Sequence, residues 1–170
     1  MLIQIDNFFP NLDLILPEIK KIKLYSLDEF NKITNASKNS NWPGYRSLQL
    51  HTIEPILLDY LMYIMKNKNI IKEAVQVASY LHLRLEEHKD KDWIHKDETD
   101  YAALIYLSET NLNSGTCLYD DNNNLINDIK FVKNRFIMYD SKYNHMGYGH
   151  HGSSIKDGRL TINLFMNKIK

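Results

Sequence analysis

Residues 75–86 alternate with a period of two. Val75, Val77, Leu81, Leu83 and Leu85 fall on one side, and Gln76, Ala78, Tyr80, His82, Arg84 and Glu86 on the other. Successive side chains of an extended chain point to opposite faces, so this run makes a long strand with one apolar and one polar face. A helical repeat cannot place those residues in two such sets. The rest of the chain continues in the same manner. Residues 101–107 are nearly all apolar, as expected of a central strand covered on both faces. Further strands are expected over 116–119, 129–132, 136–139 and 159–166, separated by Asn- and Gly-rich stretches at 111–115 and 120–124.

Upstream the period changes. Ser26-Leu27-Asp28-Glu29 fits a capping box and predicts a helix over 27–37. Ile56, Leu57, Tyr60, Leu61, Ile64 and Met65 recur at helical spacing behind Pro55, predicting a helix over 55–66 whose stripe is core. Helices first and short strands afterwards indicate a mainly β, α+β fold with helices packed against one side of an antiparallel sheet. A double-sheet jelly roll of the cupin type, a double-stranded β-helix, is the preferred version. At 170 residues and 44% hydrophobic the chain fits one domain spanning 1–170. Within it, about 1–70 give helical support and about 71–170 the jelly-roll core.

Several function classes recede at this point. Lys plus Arg equals Asp plus Glu at 21 each, which disfavours nucleic acid as a partner. The N-terminus has no basic start followed by an apolar run, and no apolar stretch reaches the ~18 residues of a spanning helix, so no membrane role is expected. Cys117 is the only cysteine, which excludes an internal disulfide and suits a reducing, cytoplasmic setting. Asn35-Ala36-Ser37 fits a glycosylation sequon and is read as a chance match.

The chemistry concentrates in Trp93-Ile94-His95-Lys96-Asp97, followed by His145 and Arg159. In an extended segment His95 and Asp97 point to the same side. Two imidazoles and one carboxylate can occupy one face of a ferrous ion and leave the other open. Arg159, Thr161 and Asn163 form a polar stripe opposite Leu160, Ile162, Leu164 and Met166. Arginine is scarce, four of the 21 basic residues, and its guanidinium fork matches a carboxylate as lysine cannot. Among the remaining histidines, His51 and His88 lie by apparent turns and are expected at the surface. His82 shares the polar face of its strand with Arg84 and is expected in solvent.

Trp93 to Asp97, then Asp100-Tyr101-Ala102-Ala103-Leu104-Ile105-Tyr106-Leu107-Ser108, Gly115-Thr116, Asn134-Arg135-Phe136-Ile137-Met138-Tyr139, His145 and Gly158-Arg159-Leu160-Thr161 form an ordered set. It resembles the iron(II)- and 2-oxoglutarate-dependent dioxygenases, and most of all the small prolyl-4-hydroxylase-like members of bacteria and phages. The likeness covers roughly 79–167, and Trp42-Pro43-Gly44-Tyr45-Arg46-Ser47 adds to it.

The resemblance implies a double-stranded β-helix with Fe(II) held by His95, Asp97 and a distal histidine. His145 is preferred because a short turn separates it from the 136–139 strand and because 146–157 reads as an inserted Gly-rich loop. His150 and His151 are the alternatives, read otherwise as loop residues near the entrance. Arg159 would bind the far carboxylate of 2-oxoglutarate, with Tyr106 contacting the same group, while Arg46 and Arg84 are candidates for the prime substrate. The implied reaction uses O2, with ascorbate as a possible helper, and releases succinate and CO2 while hydroxylating a peptide side chain or a small molecule. Asp97 argues against the halogenating variants, which lack that carboxylate. Two other readings use the same residues: a zinc-dependent hydrolase, and a jelly-roll module that binds without catalysis.

Overall fold

The computed structural model describes residues 1–35 and 42–169. Its elements, in chain order, are β1 (Leu2–Ile5), α1 (Leu12–Ile19), α2 (Leu27–Thr34), β2 (Tyr45–Arg46), α3 (Leu50–Ile53), α4 (Pro55–Asn67), β3 (Val75–Arg84), β4 (Tyr101–Tyr106), β5 (Asn111–Tyr119), β6 (Leu125–Phe131), β7 (Phe136–Asp140), β8 (Asn144–Tyr148) and β9 (Arg159–Lys168). They build two antiparallel sheets, one in the order β1-β7-β4-β9-β3-β2 and one in the order β6-β5-β8. The sheets face each other as a double-stranded β-helix.

The alternation of β3 sets the register of the large sheet. β3 pairs with β9 along its whole length, placing Leu81 opposite Ile162 and Leu83 opposite Leu160, while His82 faces Thr161 and Arg84 faces Arg159. A slip of one residue would bring apolar side chains against polar ones on every rung. The apolar face is covered by Phe8, Phe9, and α1 and α4 side chains such as Leu12, Leu16, Leu61 and Met65, which with Leu81, Leu160 and Ile162 form the main core. The opposite face looks toward the small sheet. There Ala102, Tyr106, Ile137 and Tyr139 pack with Leu118, Ile129 and Phe131 in a second, smaller cluster. That cluster fills only part of the space between the sheets, so the polar face of β3 and β9 borders a cavity.

Several elements depart from expectation. The capping box forms, with Ser26 Oγ accepting from the Glu29 N–H, but α2 stops at Thr34 because Asn35 adopts the left-handed conformation (φ 51°) that ends helices. The predicted end at Ser37, and most of the sequon, lie outside the described residues. In α4, Leu61, Ile64 and Met65 are buried as expected, whereas Ile56 in the first turn is 81% exposed. The first seventy residues are not wholly helical: β1 adds to the free edge of β7, and β2 to that of β3. The Asn- and Gly-rich 111–115 stretch is a bulged part of β5 and not a separator, since the register to β6 shifts between Asn111 and Gly115. The start of the expected 146–157 loop is instead the end of β8, which pairs with β5 from Tyr119↔Asn144 to Gly115↔Tyr148. No helix among the described residues is long and apolar enough to cross a membrane.

Candidate metal centre and anion site

The segment carrying His95 forms a single antiparallel bridge to His145 of β8. Its two bonds, His95 N–H to His145 C=O at 3.1 Å and His145 N–H to His95 C=O at 2.8 Å, put the two Cα atoms opposite each other. The imidazole centroids are consequently 4.3 Å apart. Asp97, two residues on, returns to the same side: its Oδ2 lies 3.3 Å from His145 Nε2 and its Oδ1 4.0 Å from His95 Nε2. One donor atom from each of the three residues lies within 4.8 Å of the others.

The second ring nitrogens fix the tautomers. His95 Nδ1 faces the Trp93 carbonyl at 3.0 Å and His145 Nδ1 the Tyr143 carbonyl at 3.4 Å. A carbonyl only accepts, so each Nδ1 carries the proton, which leaves each Nε2 as the ring atom available to a metal ion. This is the arrangement a metal-binding histidine requires. Burial also holds the His145 pKa below the ordinary histidine value, against the pull of Asp97.

Beyond this group lies a set of guanidinium groups. Arg84 and Arg159 are directly opposed on β3 and β9, an arrangement that repels unless anions intervene. Arg84 has its anion, Asp92 Oδ1 at 2.5 Å, and also reaches the His88 carbonyl at 3.5 Å. Arg159 makes no ion pair among the described residues. Its Nη2 donates to the Gly115 carbonyl at 3.1 Å and to Thr116 Oγ1 at 3.3 Å. The guanidinium lies over Tyr106 and Phe131, 5.5 and 5.3 Å from their ring centroids. Tyr106 is fully buried and donates its hydroxyl to Thr116 Oγ1 at 2.8 Å, so it supports the residue that Arg159 touches. Burial lowers the Arg159 pKa. Arg46 is sandwiched between Trp42 and Tyr80, 4.4 and 5.1 Å from their centroids, and burial lowers its pKa to about 10.

His95, Asp97 and His145 border one cavity of about 280 Å³ together with Arg46, Arg84 and Arg159. Six buried side-chain polar atoms lack a hydrogen-bond partner among the described residues, and four belong to residues lining it: Arg46 Nε, Arg84 Nε, Arg159 Nε and His150 Nδ1. An unsatisfied buried donor costs ~1–3 kcal/mol, so the three guanidinium Nε–H groups favour an acceptor-rich guest in this cavity.

The structure revises the reading of three histidines. His82, expected in solvent, is 6% exposed and lines the cavity, because Trp42 and Pro43 cover the polar face of β3 and the Pro43 carbonyl lies 2.9 Å from its Nε2. His88, expected at the surface, is buried and accepts the Leu85 N–H on Nδ1 at 3.0 Å. His150, expected near the entrance, is buried with Nε2 on Asp92, away from the His95, Asp97 and His145 group. His151 packs edge-on against Phe131, also outside that group, and His51 is exposed as expected. Asp92 escaped the sequence reading. Its partners lie at positions 84 and 150, and only the fold brings them to it.

No family model and no curated protein matches this sequence. Solved structures do. A 2OG-Fe(II) oxygenase family oxidoreductase from Burkholderia pseudomallei superposes with a TM-score of 0.67 at 10% identity, over 98% of this chain and 84% of that one. A prolyl hydroxylase from Trichoplax adhaerens, solved with a hypoxia inducible factor peptide fragment, gives 0.61 at 14% identity over 98% and 83%. HygX from Streptomyces hygroscopicus, solved with iron bound, gives 0.64 at 10% identity over 98% and 82%. At such identities the likeness establishes the double-stranded β-helix.

Proposed function

We propose that this protein is an Fe(II)- and 2-oxoglutarate-dependent oxygenase that hydroxylates a peptide side chain, in the manner of a prolyl hydroxylase, or a small molecule. The observation that carries the reading is the pairing, in one cavity, of a two-histidine, one-carboxylate group in its metal-ready tautomers with a buried arginine that has no counter-ion among the described residues. The superposed structures from B. pseudomallei, T. adhaerens and S. hygroscopicus support it.

The donor set fits the metal: two neutral imidazoles and a carboxylate suit ferrous iron and leave part of its coordination sphere for other ligands. When bound, iron supplies the coupling of 2-oxoglutarate decarboxylation, O2 reduction and substrate oxidation, with release of succinate and CO2. The chain supplies position. His95, Asp97 and His145 would hold the ion, and the carbonyls of Trp93 and Tyr143 keep their imidazoles in the right tautomer. Arg159 would take the far carboxylate of the co-substrate, with Thr116 and Tyr106 fixing the guanidinium from beneath. Arg46 and Arg84 border the same cavity and would contact the prime substrate. We read residues 1–170 as one such unit acting in a reducing, cytoplasmic compartment.

The test is direct. Protein loaded anaerobically with Fe(II), then given 2-oxoglutarate, ascorbate and O2, is expected to form succinate slowly alone and faster with a prime substrate from a panel of proline-bearing peptides and small molecules. Hydrolytic activity that needs neither 2-oxoglutarate nor O2, with no succinate, would replace this reading by a zinc-type hydrolase. Failure to bind any divalent ion would reduce the protein to a binding module.

A further inference from the structure

Asp92 sits between Arg84 of β3 and His150, which follows β8. His150 has a fully buried side chain, lines the same cavity as Arg159, and presents Nε2 to Asp92. A carboxylate only accepts here, so Nε2 carries a proton. Nδ1 is the remaining ring atom, and it is buried without a hydrogen-bond partner among the described residues. Gly147 shows how close this nitrogen's ring lies to the anion site: a Cβ built there would be 3.5 Å from His150 Cε1 and 3.7 Å from Arg159 Nη2.

The other unsatisfied groups around the cavity, Arg46 Nε, Arg84 Nε and Arg159 Nε, are all N–H donors. They call for a guest made of acceptors. A neutral imidazole protonated on Nε2 offers such a guest a lone pair on Nδ1, which repels it. An imidazolium offers an N–H.

We infer that His150 is a second, proton-dependent ligand of the anion held by Arg159: on binding, Nδ1 takes a proton from solvent and donates it as a hydrogen bond to the anion's carboxylate, while Asp92 balances the charge through Nε2. The inference rests on the anion site described under the proposed function. The groups facing the ring are Asp92 from the segment between β3 and β4, Arg84 from β3 and Arg159 from β9. In the free protein burial pulls the His150 pKa down to about 4, against the pull of Asp92, so the ring is neutral near pH 7. A carboxylate delivered beside Nδ1 adds a second anion and raises that value. Affinity for a dianionic ligand therefore increases as pH falls, and the co-substrate is favoured over ligands whose far end is neutral.

The experiment is calorimetry on Mn(II)-loaded protein titrated with 2-oxoglutarate, in buffers of differing ionisation enthalpy, from about pH 8 to about pH 6, with metal content checked throughout. The expected result is a proton taken up per ligand in growing fraction as pH falls. His150→Gln should abolish the uptake and weaken binding at the acid end by about tenfold, the worth of one hydrogen bond to a charged group, with Mn(II) affinity unchanged. Asp92→Asn should reduce the uptake without abolishing it. Binding of 2-oxoglutarate without proton uptake, or uptake retained in His150→Gln, would overturn the inference while leaving Arg159 in its role. No binding of 2-oxoglutarate by the parent would overturn the anion site itself. The parent's uptake needs no variant, so a variant that fails to fold does not shelter the idea.

Discussion

Arg159→Met separates what the guanidinium does for a ligand from what it does for the fold. A buried guanidinium with no anion among the described residues carries a desolvation cost of several kcal/mol, increased by Arg84 directly across the sheet. Against this stand two hydrogen bonds, to the Gly115 carbonyl and Thr116 Oγ1, and the stacking on Tyr106 and Phe131. A charged hydrogen bond contributes ~1.5–3 kcal/mol and a cation–π contact ~0.5–2, so the two sides come close to cancelling. Methionine retains much of the apolar stem over the two rings and removes the charge. The net expectation for metal-free, ligand-free protein is a gain of about 1 kcal/mol, or ~2–4 °C in Tm for a chain of this size. Ligand binding moves the other way. Losing a two-pronged contact to a carboxylate should cost ~3 kcal/mol or more, on the order of a hundredfold in the Kd for 2-oxoglutarate. Thermal unfolding of the apo protein and calorimetry of the Mn(II)-loaded protein give the two numbers. A variant that melts well below the parent, or that binds 2-oxoglutarate within about threefold of it, would refute the view of Arg159 as a charge awaiting its partner.

Asp97→Ala removes the one carboxylate from the metal group and should abolish succinate formation together with tight divalent-ion binding, as measured by turnover and by competition with a chromophoric chelator. Gly44→Ala places a Cβ 2.4 Å from the Leu83 carbonyl at a φ of +98°. It should destabilise by roughly 2 kcal/mol or more and loosen the wall over His82, seen as a lower Tm and altered Trp42 fluorescence. Asp6 is paired with Arg135 through two bonds of 2.6 and 2.9 Å, and the side-chain hydrogen bond from Arg135 lowers its pKa. A depressed folded-state pKa stabilises above the unfolded value of about 3.9, and the contribution fades as pH falls through the folded one. Asp6→Asn should therefore flatten the loss of stability below about pH 4 in urea titrations, by a few tenths of a kcal/mol for so exposed a pair.

Much of the fold was legible because β3 and β9 carry their partners' addresses in their own alternation. Once each strand has one apolar face, every register displaced by an odd number of residues is ruled out. β1 and β8 were harder to see. Leu2–Ile5 is too short to establish a period, and Asn144–Tyr148 contains a histidine, a glycine and a tyrosine that read equally well as loop. Position along the chain singled out His95, Asp97, His145 and Arg159, and the fold brings the first three together. The rest of the cavity was hidden for a physical reason. The fates of His82, His88 and His150 depend on what covers them, and the Trp42–Pro43 segment, the Leu85 amide and Asp92 are remote or irregular partners that no periodicity announces.

The bridge between His95 and His145 has a consequence for how metal and fold are coupled. Because backbone hydrogen bonds already hold the two imidazoles side by side, an ion bound there would close no loop that folding has not closed. Its binding free energy is then spent on coordination and little of it on ordering the chain, in contrast to small zinc domains that unfold when stripped. Chelation should leave the protein folded and ready to reload. Under the proposed function, occupancy would then follow the supply of metal around the protein, and iron availability would switch one folded chain on or off without its being lost.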